Sequence, residues 1–301
     1  MKAVILLDGV INILKPPGMT SHDVVSFLRR QFKIKRIGHA GTLDPQAAGV
    51  LPLCLGQATR LVEFLTEHDK EYLCEMTLGI TTTTQDAWGE VVERKNCRQI
   101  TLEMIQQVLP QFSGEITQIV PAYSAVKVQG VPLYKRARLG MKIEPISRQV
   151  LIYKLEIIKF ESPKLTFLVH CSKGTYVRTI CHDLGKALGV GGHLSFLLRT
   201  RVGKFALADS LTLEEIAFLQ EKSLLPLEHC VQGLAQIVLS DYELIKIKQG
   251  QKITITESTE SIYPGADLAV LNGQGKLQAI ATVLLVDQKR QLKPQKVFNR
   301  E

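Results

Sequence analysis

Gly38-His39-Ala40-Gly41-Thr42-Leu43-Asp44-Pro45-Gln46-Ala47-Ala48-Gly49-Val50-Leu51-Pro52 packs glycines, prolines and small residues around one carboxylate and one imidazole. Glycine lets backbone approach a ligand closely or take positive φ, and Asp-Pro favours turn initiation. The stretch reads as a loop that presents Asp44 at a fixed place, with no second acid beside it. A lone Asp-Pro is more often a plain turn than a catalytic acid, so the rest of the chain has to decide what Asp44 is for.

Upstream, Ile11 to Leu14 is a short apolar strand that ends in the turn Lys15-Pro16-Pro17-Gly18. Thr20-x-x-Asp23 is a capping box that opens a helix with Val24, Phe27 and Leu28 on its apolar side. Arg29, Arg30, Lys33, Lys35 and Arg36 crowd its end, which suits a solvated helix C-terminus as well as it suits phosphate contacts. Downstream, Lys70 to Thr84 is strand-like, and Asp86-Ala87-Trp88-Gly89 turns into Glu90-Val91-Val92-Glu93. Thr101 caps a helix bearing Ile105, Val108 and Leu109, which Pro110 helps to stop. Strands follow at Val150 to Phe160 and Leu165 to Cys171, the second with Leu165, Phe167, Val169 and Cys171 on one face. Thr179 to Leu188 is a helix ending at Gly189, and Thr212-x-x-Glu215 caps another.

Around Leu225 to Leu234 the texture changes to a linker with Pro226 and Gly233. Beyond it come a Lys-containing amphipathic stretch ending at Gly250 and short strands, with Asn272-Gly273 marking a hairpin between Asp267–Leu271 and Leu277–Val286. Strands and helices mixed without regular βαβ alternation point to an α+β domain over 1–232, with a small β module over 233–301.

Composition narrows the function classes. A chain of 301 residues, 45% hydrophobic and 22% charged, has apolar material enough for a sizeable core. Lys plus Arg at 37 against Asp plus Glu at 29 gives +8, which favours a polyanionic partner without requiring one. Cys54, Cys74, Cys97, Cys171, Cys181 and Cys230 are scattered with no Cys-x-x-Cys pair, so reduced, mostly buried thiols are expected and no zinc site. His182-Asp183 has no partner pair at metal-ligand spacing and reads as structural. The apolar run at Met1 to Leu7 is too short for a secretion signal, and Ala279 to Val286 is too short to span a bilayer. A cytoplasmic protein without metal or cofactor is expected.

Three further blocks say little alone. Lys70-Glu71-Tyr72 opens a strand where tyrosine is favoured for packing. Pro121-Ala122-Tyr123-Ser124-Ala125-Val126-Lys127-Val128-Gln129-Gly130, running on to Tyr134-x-x-Ala137-Arg138, suits a hairpin leading into a helix and equally suits contacts to unpaired nucleotides. Lys173-Gly174-Thr175-Tyr176-Val177-Arg178 continues the strand before it, so Tyr176 and Arg178 are expected on one face, with Arg178 able to pair with Asp44.

Together with Leu197-Leu198-Arg199-Thr200-Arg201-Val202-Gly203, these blocks and the Asp44 loop resemble, in order, the motifs of bacterial tRNA pseudouridine synthases of the TruB type. The chain departs from that pattern at Ala40, where threonine is usual, and at Leu198, where arginine is usual. The resemblance covers essentially the whole chain. Its end, with Gly250 and Pro294-Gln295-Lys296-Val297-Phe298, resembles the PUA RNA-binding module in the weakest of these matches. It implies a mixed, largely antiparallel sheet flanked by helices and loops, with a small barrel-like PUA domain.

By the same resemblance the reaction is isomerisation of uridine-55 in the TΨC loop of tRNA, with Asp44 as nucleophile and no cofactor. Tyr72 would place its ring on the target base, and Tyr176 would belong to the active-site strand with Arg178. Leu197 would touch the base and Arg199 its flanking phosphate. His39 would fill the space left when the base is flipped out. A single carboxylate meets this demand without metal or nucleotide, in keeping with the absence of a P-loop or dinucleotide fingerprint.

A stand-alone monomer on tRNA, with no membrane and no obligatory protein partner, is the expected form. Two rivals share the basic and aromatic features: a non-catalytic tRNA-binding or tRNA-folding protein, and the catalytic subunit of a guide-RNA pseudouridylation particle. Intact Asp44 and Tyr72 argue against the first, and the compact chain against the second. A carboxylate glycosidase would need two acids at the scissile bond, and Asp44 has no companion in sequence.

Overall fold

The computed structural model describes residues 7–255 and 262–298, so most of the opening apolar run lies outside the described residues. The first elements are β1 (Gly9–Lys15), α1 (Ser21–Phe32), β2 (Ile37–His39), β3 (Ala48–Leu55), α2 (Val62–Glu67), β4 (Lys70–Leu78), β5 (Ile80–Thr82) and β6 (Val91–Arg94). There follow α3 (Leu102–Val108), β7 (Gly114–Ile119), β8 (Lys127–Val128), β9 (Val131–Pro132), α4 (Leu133–Arg138), β10 (Ser147–Glu161) and β11 (Lys164–Cys171). After these come α5 (Val177–Ala187), β12 (Gly192–Val202), β13 (Phe205–Ala206) and α6 (Leu213–Leu219). The chain closes with β14 (Ala235–Val238), α7 (Asp241–Lys248), β15 (Ile253–Ile255), β16 (Asp267–Leu271), β17 (Leu277–Val286) and β18 (Lys289–Val297).

The fold is α+β. Its large sheet runs β1-β3-β12-β4-β11-β10-β7, with β2 on β3 and β13 on β12. All its pairings are antiparallel except β3–β12. A second sheet, β14-β16-β17-β18-β15, curls as the C-terminal β module. No helix among the described residues is long and apolar enough to cross a membrane.

Local chemistry explains the elements that position the site. The capping box at α1 is formed: Thr20 Oγ1 accepts from the Asp23 N–H at 3.0 Å, and the Asp23 carboxylate accepts from the Thr20 N–H at 2.8 Å. Lys33, at φ 55°, ends that helix in the left-handed region. Val24, Val25, Leu28 and Phe32 are its buried side. Alternation on β4 and β11 buries Tyr72, Cys74 and Met76 against Leu165, Phe167 and Val169. A fully buried leucine, valine or phenylalanine there contributes roughly 1.5–3 kcal/mol.

Three features differ from the sequence reading. The stretch Gly38–Pro52 is loop only between β2 and β3, because Pro52 lies inside β3. Proline has no N–H to donate, and Pro52 contributes instead its carbonyl, which accepts from the Ala40 N–H at 3.0 Å. Tyr176 and Arg178 do not share a strand face: β11 stops at Cys171, Gly174 turns the chain at φ 79°, and Arg178 is the second residue of α5. The Asn272 hairpin, by contrast, joins Asp267–Leu271 to Leu277–Val286 as read, with Asn272 Oδ1 accepting from the N–H groups of Gln274 and Lys276 at 3.1 and 2.9 Å.

Finally, the C-terminal module does not stand apart. Ala269, Leu271, Leu277, Ile280 and Phe298 share one core cluster with Val10, Val50, Cys54 and Leu61. Arg60 donates to the Val297 carbonyl at 2.6 Å, and Lys296 pairs with Glu63.

Candidate active site

The Asp44 loop hangs from two buried cations. Lys15, at the end of β1, donates from Nζ to the carbonyls of Pro16, Met19 and Pro45 at 2.7, 2.6 and 2.9 Å. Burial pushes its pKa down to about 8, opposed by the charge of Asp44. Arg199, on β12, is 1% exposed. It donates from Nε to the Val50 carbonyl at 2.7 Å and from its two Nη atoms to Thr42 and Gly41 at 3.4 and 3.3 Å.

The Ser21 hydroxyl ties the same loop to α1, donating to the Leu43 carbonyl at 3.1 Å and accepting from the Leu43 N–H at 2.9 Å. Where β3 meets β12, a Cβ on Gly49 would fall 2.2 Å from the Arg199 carbonyl oxygen, so only glycine fits.

These anchors all grip backbone, which leaves the Asp44 carboxylate to side-chain chemistry. Arg178 reaches it, Nε to Oδ2 at 3.0 Å. The pair is asymmetric in exposure, with 5% for the Arg178 side chain and 41% for that of Asp44. The expected pairing is thus present, but a helix start delivers the arginine. Gln118 on β7 fixes that start by accepting from the Tyr176 N–H at 2.9 Å and donating to the Tyr176 carbonyl at 3.2 Å. The other guanidinium nitrogens donate to the Thr84 and Tyr123 carbonyls at 3.2 and 3.1 Å. Asp86 sits 3.7 Å from Nη1, so two carboxylates share one buried arginine.

Tyr72, Leu43 and Leu197 converge in one buried cluster. Burial pushes the Tyr72 phenol up to about 12, partly offset by Arg199. His39, on β2, is half-buried, and its Nδ1 has no hydrogen-bond partner among the described residues. Burial and then the charge of Arg199 hold its imidazole below the usual range.

Arg199 departs from its expected place on a phosphate. Its donors face loop carbonyls in the interior, and it positions the loop instead. Sequence reading missed Lys15 and Asp86, both of which sit in segments read as turns. A lysine closing an apolar strand was the available signal for the first, whereas only the fold brings Asp86 to Arg178.

Tyr123 belongs to a segment that continues through the β8–β9 hairpin, whose turn has Gln129 and Gly130 at positive φ, into α4. The cations Arg29, Arg30, Lys33 and Lys35 line a shallow concavity at the far end of α1.

Comparison with known proteins gives the family. Residues 29–177 match the family model of the TruB family pseudouridylate synthase N-terminal domain, and residues 178–238 that of the tRNA pseudouridylate synthase B C-terminal domain. The tRNA pseudouridine synthase B of Caldanaerobacter subterraneus subsp. tengcongensis is 48% identical over 256 residues, covering 85% of this chain and 89% of that protein. That of Heliobacterium modesticaldum is 40% identical over 299 residues, covering 98% and 96%. Among solved structures, a chain of a Cbf5-Nop10-Gar1 complex superposes with a TM-score of 0.76 at 29% identity, over 98% of this chain and 86% of that one. A chain of an H/ACA RNP bound to a substrate RNA containing 2'-deoxyuridine gives 0.75 at 27% identity, over 98% and 86%. The chain belongs to the TruB family of tRNA pseudouridine synthases.

Proposed function

We propose that the chain converts uridine-55 in the TΨC loop of tRNA to pseudouridine, with Asp44 as the nucleophile. The observation that carries this reading is the Arg178–Asp44 pair, a buried guanidinium orienting a carboxylate that still opens to solvent. The reaction breaks the bond between uracil N1 and ribose C1′ and forms one between C5 and C1′. A proton leaves C5 and another joins N1, so atoms balance without any co-reactant.

The uridine must leave its stack before Asp44 can reach it. Tyr72 and Leu197 then bracket the extruded base, His39 occupies the space it left, and Tyr176 borders the pocket from the start of α5. Arg199 serves the same site from behind, as a positioning residue.

The catalytic part is proposed to span 1–232, and 233–301 to act as a PUA-like grip on RNA. The enzyme works as a monomer in the cytoplasm and needs no protein partner. The solved relatives in RNP complexes favour a second reading, a guide-RNA particle subunit. The tRNA synthases are closer in sequence, at 40–48% identity against 27–29%.

One experiment addresses both. Purified chain alone is incubated with unmodified tRNA transcript, and pseudouridine is mapped by position. Formation at position 55 without added protein or guide is expected. Asp44→Asn should abolish it while leaving tRNA affinity within roughly tenfold, or about 1.4 kcal/mol. Single-turnover activity near wild type in that variant would overturn the nucleophile assignment.

A further inference from the structure

The chain contains one tryptophan, Trp88, and it is 57% exposed. It lies on the connection from β5 to β6, two residues after Asp86, the carboxylate that shares Arg178 with Asp44. That connection is firmly held. Thr84 Oγ1 and the Trp88 N–H both donate to Asp86 Oδ1, at 2.5 and 3.1 Å. The Thr82 hydroxyl donates to the Asp86 carbonyl at 2.7 Å, and the Ala87 N–H to the Leu194 carbonyl on β12 at 2.9 Å. A Cβ on Gly89 would fall 2.3 Å from Thr84 Oγ1, so the turn closes without slack.

Such a turn presents a large aromatic face on fixed backbone. Val91 and Val92 on the adjoining β6 are also exposed. We propose that Trp88 is a stacking platform for an unpaired base of the RNA next to the target uridine. The proposal rests on the RNA-substrate reading above and adds a contact to it.

Position makes the case. The Trp88 N–H touches Asp86, Asp86 faces Arg178, and Arg178 holds Asp44. An RNA loop that delivers a uridine to Asp44 therefore carries its neighbouring nucleotides across this turn. Unpaired bases in RNA loops are recognised by stacking on aromatic side chains, and every base offers a face for it. A neighbour stacked on Trp88 holds the strand with its target extruded. Trp88 takes no part in bond making, so its effect falls on binding.

Being the sole tryptophan, Trp88 also reports on itself. Full-length protein is titrated with unmodified TΨC stem-loop and with whole tRNA while indole fluorescence and its quenching by acrylamide are followed. Saturable loss of fluorescence and protection from acrylamide are expected. Trp88→Ala should raise KM by about 5- to 150-fold with kcat retained, and Trp88→Phe should restore most of the loss. Unchanged melting temperatures would show that both variants fold, as expected for an exposed side chain.

If pseudouridine forms but fluorescence is unmoved by saturating RNA, or KM of Trp88→Ala stays within about twofold of wild type, the stacking proposal fails alone. If the wild-type protein neither binds nor modifies RNA, the functional reading fails and this proposal with it.

Discussion

Replacing Arg178 by lysine keeps a positive charge and removes the planar fork. The native guanidinium spreads its donors over Asp44 at 3.0 Å, Thr84 at 3.2 Å and Tyr123 at 3.1 Å, with Asp86 at 3.7 Å. One ammonium cannot serve all of these directions at once. With the two carbonyls losing their donor, at about 1–3 kcal/mol for each buried group left unpaired, unfolding free energy should fall by about 2–6 kcal/mol. Freed of its anchor, the Asp44 carboxylate shifts by about an ångström, which costs on the order of a hundredfold in rate. That factor corresponds to about 2.7 kcal/mol of barrier. The loss should appear in single-turnover pseudouridine formation at saturating tRNA, with tRNA affinity little changed and urea unfolding recorded in parallel. A folded Arg178→Lys protein that turns over within about threefold of wild type would refute the idea that this ion pair positions Asp44.

Three other outcomes are expected. Because the Tyr72 phenol is pushed up to about 12, its hydroxyl is neutral at working pH. Tyr72→Phe should therefore stay within about tenfold of wild type and Tyr72→Ala should lose the stacking, about 1–3 kcal/mol, and a Phe variant that stalls after glycosidic cleavage would instead assign the hydroxyl a proton. Phe298→Ala empties a fully buried site in the core shared by the two sheets, so urea unfolding should show a loss of about 3–5 kcal/mol. An unshifted transition would show that the C-terminal module packs independently. Lys70 is pushed from 10.5 down to about 8 by burial, so between those values the unfolded chain binds the extra proton and stability rises with pH. Relative to Lys70→Met, wild type should gain up to about 3 kcal/mol from pH 8 to pH 10.5, and a flat difference would mean the ammonium is not desolvated.

What could be read from residues alone was whatever depends on near neighbours. The Thr20–Asp23 and Thr212–Glu215 boxes form as spaced, because each involves residues three apart. Alternation at Leu165 to Cys171 showed the buried face of β11 for the same reason. The Asp44 loop and its pairing with Arg178 were legible through motif order. The route was not, because the Gly174 turn and the Gln118 clasp that start α5 early depend on a strand far away in the chain. Motif resemblance set Arg199 on the phosphate flanking the target base. Its inward course follows from the parallel contact with β3 at Gly49, a pairing no local pattern encodes. The common core beneath the two sheets was hidden for a similar reason, since Pro226 and Gly233 look like a linker whatever packs around them.

The hanging of the loop from Lys15 and Arg199 bears on protein engineering. Gly38 to Pro52 is the obvious segment to transplant when the Asp44 carboxylate proposed as nucleophile is wanted on another scaffold. Its carbonyls at Gly41, Thr42, Pro45 and Val50 are held by side chains from outside the segment, and its carboxylate is aimed by a third, Arg178. Severed from those positions, the peptide keeps its composition and loses its conformation. The smallest portable unit is therefore the junction of β1, β3, β12 and the first turn of α5, and a donor strand without its two interior cations would carry the signature but not the geometry.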